Sequence, residues 1–266
     1  MPVSPLRDDI QAGRTSLGVW VQSPEMVELC AHVGFRWVML DQMFSANDWS
    51  RTESLIRAAE ASDVTPIVRV QSNPWLGRDH RVAVDVARAV GIGAEFLLVS
   101  HADTAELDEC LVAGQDWHRR VLNLHPYRQA GELMPRLAQG LVPTCVIPQP
   151  ETLPTLQSLP EVIRDPRVSV VFIGMSDAAR ALAGEGRGDF DDPRLWEYVD
   201  SAVALGREHG VTVGANTSYG YTLAELRRRV EKLNEHGVRM VMIQGASFLF
   251  QVAANQLLGE LGPLLG

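Results

Sequence analysis

The sequence is most informative at first through what it lacks. Cysteine is scarce: Cys30, Cys110 and Cys145 are the three in 266 residues. They are odd in number and far apart, which excludes a disulfide framework and a Cys-x-x-Cys metal site and leaves them as buried small hydrophobes. Net positive charge is missing as well, since 24 Lys+Arg stand against 33 Asp+Glu for a formal charge of −9. An acidic chain of this kind is not built to hold nucleic acid. There is no run of about 18 uncharged apolar residues of the sort that spans a bilayer. Arg7, Asp8 and Asp9 fall where a secretory signal would carry its apolar region. A cytoplasmic protein with no membrane partner is expected. No Pro/Gly/Ser-rich linker divides the chain, so residues 1–266 are read as one domain.

What remains is an ordinary globular composition, 46% hydrophobic and 21% charged. Short β-branched runs alternate with amphipathic stretches from end to end, the pattern of parallel strands joined through helices. Strands are expected at 17–21, 37–41, 66–70, 96–100, 144–149, 168–174, 211–215 and 239–244, with a further apolar run at 121–124. Helices are expected at 23–33, 49–61, 82–90, 105–111, 153–159, 193–209 and 222–235, and an apolar C-terminal helix at 247–266. Gly34, Gly210 and Gly237 stop helices before the next strand. Eight strands in repeated strand–helix–glycine units predict an α/β fold of the (β/α)8 barrel type. A doubly wound nucleotide-binding sheet is the weaker alternative, because no GxGxxG or GxxxxGK[ST] follows a strand.

In such a barrel, functional groups gather where the strands end. The polar residues closing the apolar runs are Asp41, Arg69, His101, Gln149, Glu151, Asp177, Asn216 and Gln244. Glu151 and Asp177 come from consecutive strand ends, and adjacent strands lie about 4.8 Å apart. Two carboxylates with waters are the hard oxygen set that Mg²⁺ or Mn²⁺ prefers. Taken singly, each also reads as a helix N-cap or a solvated charge. Arg69 is a fixed cation able to hold a carboxylate or a developing oxyanion. His101 either faces the site or opens the cap of the helix after Asp103, and His125 stands after the extra apolar run. His32, His209 and His236 precede helix-ending glycines and read as structural.

The order of these segments resembles the HpcH/HpaI aldolase family, metal-dependent pyruvate aldolases on a (β/α)8 barrel. The similarity begins at Ala12-Gly13-Arg14 and Leu17-Gly18-Val19-Trp20, continues through Ala31 to Asp41, and includes Pro66-Ile67-Val68-Arg69. Its most specific parts are Gln149-Pro150-Glu151-Thr152, similar to Q-I-E-T, and Phe172-Ile173-Gly174-Met175-Ser176-Asp177, similar to F-I-G-P-x-D. The resemblance implies that Glu151 and Asp177 hold a divalent ion, Mg²⁺, Mn²⁺ or Co²⁺. It implies that Arg69 faces the 2-oxo group of a small 2-oxo acid substrate and its pyruvate-like enolate. Gln149 and the backbone amides of Met175, Ser176 and Asp177 would line the carboxylate pocket, with Trp20, Asp41, Phe44 and Gly174 around it. It further implies a homo-oligomer, a trimer or hexamer.

The departures are as specific as the matches. Where the family reads D-x-E-H, with the histidine as acid/base, this chain reads Asp41-Gln42-Met43-Phe44, and Gly91 stands where the family's orienting Asp is expected. The family's Y-P-P-x-G-x-R-G segment is absent, and Val70 replaces the usual proline. Metal and enolate parts are kept while proton-transfer parts are lost. The expectation is a carbon–carbon lyase, aldolase or decarboxylase in type, with altered proton transfer. His101 or His125 could replace the base, an ion-bound hydroxide could, or the reaction could need none, as in decarboxylation of an oxaloacetate-like acid. The apolar Met43-Phe44 pair suits a larger or less polar acceptor. Two alternatives stand beside this: a catalytically silent, ligand-binding relative, and a phosphate-handling isomerase, for which Gly214 to Gly220 and Gln244 to Ser247 are only weakly suited.

Overall fold

The structure, a computed structural model, describes residues 4–45, 47–71, 82–100, 102–115, 144–184, 186–220 and 222–265. The chain opens with helix α1 (Pro5–Gln11), and then β1 (Ser16–Val21), α2 (Pro24–Val33), β2 (Trp37–Asp41), α3 (Trp49–Ala61), β3 (Thr65–Gln71), α4 (Val82–Gly91), β4 (Phe96–Ser100), α5 (Thr104–Gly114) and β5 (Cys145–Gln149) follow. After these come α6 (Leu153–Gln157), α7 (Leu159–Arg164), β6 (Val170–Ile173), α8 (Met175–Ala183), α9 (Pro193–His209), β7 (Thr212–Asn216), α10 (Leu223–Glu235), β8 (Met240–Gly245) and α11 (Ala246–Leu265). The expected run at 121–124, with His125, lies outside the described residues, as does His101.

The strands form one eight-stranded sheet in the order β5-β4-β3-β2-β1-β8-β7-β6, with the paired strands parallel. This is the (β/α)8 barrel predicted, nearly closed. At the β5/β6 seam the Gly174 N–H donates to the Pro150 carbonyl at 3.2 Å at one end. Cys145 Sγ and Ser169 Oγ meet at 3.3 Å at the other.

Side chains alternate across each strand, so the two faces carry separate cores. Val19, Val21, Val38, Leu40, Val68, Val70, Leu97 and Val99 point outward and pack under the helices. Trp37, Met39, Ile67, Phe96, Leu98, Ile147, Phe172, Met240 and Met242 fill the interior. The interior is fitted large against small: Trp37 and Phe172 meet edge to face at 6.3 Å, and a Cβ on Gly18 or Gly214 would run into these two rings. Helix α1, not expected from the sequence, closes the end where the strands begin. Leu6 and Ile10 pack on the inner cluster, and the Leu6 N–H donates to Thr65 Oγ1 at 3.0 Å. With one end plugged by apolar side chains, a ligand has the other end of the barrel to enter. Among the described residues no helix is long and apolar enough to cross a membrane.

Candidate active site

On six of the strands the inward row is largely apolar and turns polar at or near the strand's end. Trp37 and Met39 lead to Asp41 on β2, Ile67 to Arg69 on β3, Phe96 and Leu98 to Ser100 on β4, Ile147 to Gln149 on β5, Gly214 to Asn216 on β7, and Met240 and Met242 to Gln244 on β8. A period of two therefore stacks six polar side chains in one layer at the mouth of the barrel. Above this layer is a cavity of about 470 Å³, whose walls include Trp20, Phe44, Arg69, Gln149, Ser176 and Asp177.

Arg69 is buried at 8% exposure, and Asp41 beside it is fully enclosed. Asp41 and Arg69 are register partners on β2 and β3. Arg69 Nε donates to Asp41 Oδ1 and Nη2 to Oδ2, both at 2.8 Å. The backbone N–H groups of Met43 and Phe44 donate to the same two oxygens at 3.0 Å each. Burial works to lower the basicity of Arg69, but Asp41, with Glu151 and Asp177 beyond it, holds it above its ordinary value. Asp41 is thus the clamp behind Arg69, and Arg69 is the group that meets the cavity. Among the described residues Arg69 Nη1 makes no hydrogen bond, so that edge of the guanidinium remains for a ligand.

Glu151 follows β5, is 2% exposed, and accepts from Gln149 Nε2 at 2.5 Å. Burial and the neighbouring Asp177 carboxylate push its pKa to about 8, against the opposing pull of Arg69 and Gln149. Gly174 makes room for it, since a Cβ there would strike Glu151 Oε2 and lie 2.8 Å from Glu151 Cβ. Asp177 sits in the first turn of α8, with Oδ1 held by Arg180 Nη1 at 2.7 Å. The sequence reading has no helix here. One forms because Gly174 caps a short alanine-rich stretch, and the amides of Met175, Ser176 and Asp177 become its unpaired first-turn donors. The Met175 side chain itself is buried in the outer core.

The donor chemistry fits a hard divalent ion. Two carboxylates crowd each other near an arginine, Gln149 adds a buried Oε1 with no hydrogen-bond partner among the described residues, and a dication would reverse the cost of charging Glu151. Among the described residues no third His, Cys, Asp or Glu joins them. Any ion held there would keep open positions for a substrate.

No family model matches the chain. It is 25% identical over 240 residues to the hydroxypyruvate/pyruvate aldolase of Agrobacterium fabrum, covering 85% of each chain. It is 24% identical over 264 residues to the 4-hydroxy-2-oxovalerate aldolase of Novosphingobium aromaticivorans, covering 96% of this chain and 93% of that one. Over most of its length the chain is similar to aldolases of this kind. A solved HpcH/HpaI aldolase/citrate lyase family protein from Burkholderia cenocepacia superposes with a TM-score of 0.75 at 22% identity, over 97% of this chain and 99% of that one, and shares the barrel.

Against that HpcH/HpaI frame, the structure brings Trp20, Phe44, Arg69, Gln149, Ser176 and Asp177 to one cavity, with Glu151 and Gly174 beside Gln149 and Asp41 behind Arg69. His32, His209 and His236 close helices away from it, His236 pairing with Asp200 at 2.6 Å. Asp103 caps α5 in a capping box with Glu106. Sequence reasoning passed over Tyr219, Phe248 and Arg180, which also line the cavity. It also passed over a compositional signal: the chain has one lysine, Lys232. That lysine lies on α10 on the outside of the barrel, with Nζ 2.7 Å from Asp191 and 4.3 Å from the Trp196 ring centre.

Proposed function

We propose that this chain is a carbon–carbon lyase acting on a 2-oxo acid, that Glu151 and Asp177 hold a divalent ion for it, and that its proton transfer differs from that of the HpcH/HpaI aldolases. The observation that carries the reading is the meeting of buried Glu151, Asp177 and the clamped Arg69 at one open barrel end. The single lysine supports it from another side. A lyase working through a Schiff base needs an amine at the substrate carbonyl, and Lys232 is engaged elsewhere.

When bound, the ion supplies Lewis-acid chemistry at the carboxylate and oxo oxygens of the substrate. The rest falls to the chain. The first-turn amides of α8 and the helix dipole receive the carboxylate. Arg69, fixed by Asp41, faces the negative charge that collects on the 2-oxo oxygen as the bond to C3 breaks. In a retro-aldol step the electron pair of the C3–C4 bond passes to that enolate, and the C4 hydroxyl gives up a proton. In decarboxylation the pair comes from the carbon–carboxylate bond, carbon dioxide leaves, and no hydroxyl proton moves. Phe44 cannot take a proton. This favours decarboxylation, or a base from outside the described residues, His101 or His125.

Calorimetric titration of metal-stripped protein with Mg²⁺, Mn²⁺ and Co²⁺ tests the ion, with Glu151→Ala/Asp177→Ala as control. Equal binding by the variant removes the assignment. Assays with oxaloacetate and 4-hydroxy-2-oxopentanoate test the reaction. The same reading makes the chain one cytoplasmic barrel domain and a homo-oligomer, a trimer or hexamer. The exposure of Phe250, Leu257 and Leu258 on α11 supports association, and a monomeric mass in light scattering at micromolar concentration would refute it.

A further inference from the structure

The mouth of the barrel is divided. The charged groups come from one arc: Arg69 from β3, Glu151 after β5, and Asp177 with its partner Arg180 after β6. The other arc runs through four neighbouring strands, β2, β1, β8 and β7, and each brings an aromatic side chain, from within it or from the residues just after it, to the cavity: Phe44, Trp20, Phe248 and Tyr219. The remaining described side chains that line the cavity on that arc are neutral, with Gln22, Asn216, Gln244, Ser247 and Gln251 among them.

Two of these rings are held open rather than packed away. Phe44 is 68% exposed and Tyr219 53%. Both are fixed from behind, Phe44 by the Arg69 guanidinium 5.4 Å from its centre and Tyr219 by an edge-to-face contact with Phe248 at 6.0 Å. Large apolar surface left exposed inside a cavity is a cost that a ligand relieves by covering it. The cavity, about 470 Å³, lies within the roughly 300–1,000 Å³ of pockets that enclose drug-sized ligands and is far larger than a three-carbon acid needs. Among the described residues that arc offers a second carboxylate no cation beyond Arg69 itself.

Resting on the lyase reading above, we infer that the substrate carries an aryl or similarly large, flat, uncharged group on the side of the 2-oxo acid away from α8, and that Phe44 and Tyr219 select it. The acid end binds on the charged arc. The ring lies between Phe44 and the Tyr219–Phe248 pair, where offset or edge-to-face contacts form with little loss of side-chain freedom.

The test is calorimetric titration of the Mn²⁺-loaded protein with 2-oxobutanoate and with 2-oxo-4-phenylbutanoate, neither of which has a hydroxyl to cleave. Wild type should bind the phenyl acid at least tenfold more tightly. Phe44→Ser/Tyr219→Ser should bring the two acids within about threefold, while Tyr219→Phe keeps the gap. Phe44 and Tyr219 are exposed, so the double variant is expected to fold, which circular dichroism checks. Wild-type affinities within threefold of each other, no binding of either acid at millimolar concentration, or a gap that survives in the double variant overturns the inference. Assays of turnover with 4-hydroxy-2-oxopentanoate, its 4-phenyl counterpart and oxaloacetate separate the two claims. Turnover of none of the three, with the binding gap intact, removes the lyase reading and leaves the aryl site. Turnover confined to the aliphatic acid does the reverse.

Discussion

Asp41 and Arg69 stand opposite each other at the ends of adjacent strands, joined by two parallel hydrogen bonds of 2.8 Å, with the Asp41 carboxylate capped on its other side by two backbone amides. The pair converts a long flexible side chain into a fixed cation. Asp41→Asn keeps the shape and removes the charge, leaving Arg69 buried with a weakened partner. Breaking one side of a buried ion pair costs about 3–5 kcal/mol. The expected outcome is a urea midpoint lowered at unchanged slope, with a loss of unfolding free energy of about half that cost because Glu151 and Asp177 still face Arg69. Arg69→Lys should not rescue function, because an ammonium cannot bridge both carboxylate oxygens in the same fork.

Neither this pair nor its role was legible in the sequence, although both residues were. The strand positions could be read because apolar residues recur with a period of two, and that same period marks where each strand turns polar. Register is a different kind of information: which residue on β2 meets Arg69 depends on how two strands slide past each other, and no local pattern records it. Helix α8 escaped because Gly174 to Asp177 carries site residues and no apolar stripe, and α1 because a seven-residue helix is too short to show one. Tyr219 and Phe248 reach the mouth from β7 and β8, which the resemblance left unmarked. Glu151, Asp177 and Arg69 were legible because their neighbours in sequence form distinctive short strings.

Gly174 separates packing from chemistry. A methyl group there collides with the Glu151 side chain, and overfilling a packed site costs roughly 1–3 kcal/mol. Gly174→Ala should therefore weaken Mn²⁺ binding at least tenfold in calorimetry, with the barrel intact by circular dichroism. Unchanged affinity would mean that the Glu151 carboxylate does not sit where the ion does.

The outer surface supplies a pH prediction. Asp191 accepts from Arg228 at 2.9 Å and from Lys232 at 2.7 Å, and these partners, Arg228 foremost, lower its pKa to about 2. A carboxyl lowered in the folded state binds fewer protons there than when unfolded, so stability rises with pH across that window. The contribution is complete above about pH 4 and is lost as pH falls through about 2. Asp191 is substantially exposed, and solvent screening keeps the effect below about 1 kcal/mol. Asp191→Asn should flatten the acid limb of Tm against pH and change little at pH 7.

Burial keeps two thiols out of reach. The Cys30 thiol is pushed up to about 11 and the Cys110 thiol to about 12. The thiolate is the reactive form, so both should resist a disulfide-exchange reagent at pH 8 and react only once denaturant opens the barrel. Rapid modification of either in the folded protein would place it outside the core described here.

Phe44, which stands where the resemblance expects a histidine, gives the last test. Phe44 lies beside Arg69 at the cavity, and its backbone N–H, not its ring, holds Asp41. Phe44→His therefore leaves the clamp in place and sets an imidazole where a C4 hydroxyl would be. The nearby guanidinium disfavours its protonated form, which favours a ring able to accept a proton. A well-oriented base contributes roughly 10²–10⁴-fold, but Gly91, where the resemblance expects an orienting carboxylate, ends α4 on the side where the strands begin and is not placed to orient this imidazole. The gain should be smaller, about tenfold, and confined to the step that moves a hydroxyl proton. The quantity to follow is the ratio of 4-hydroxy-2-oxopentanoate cleavage to oxaloacetate decarboxylation, which should rise about tenfold in the variant. A ratio unchanged while Mn²⁺ binding is retained would show that proton removal at residue 44 does not limit the aldol reaction, and would return the search for the base to His101 and His125.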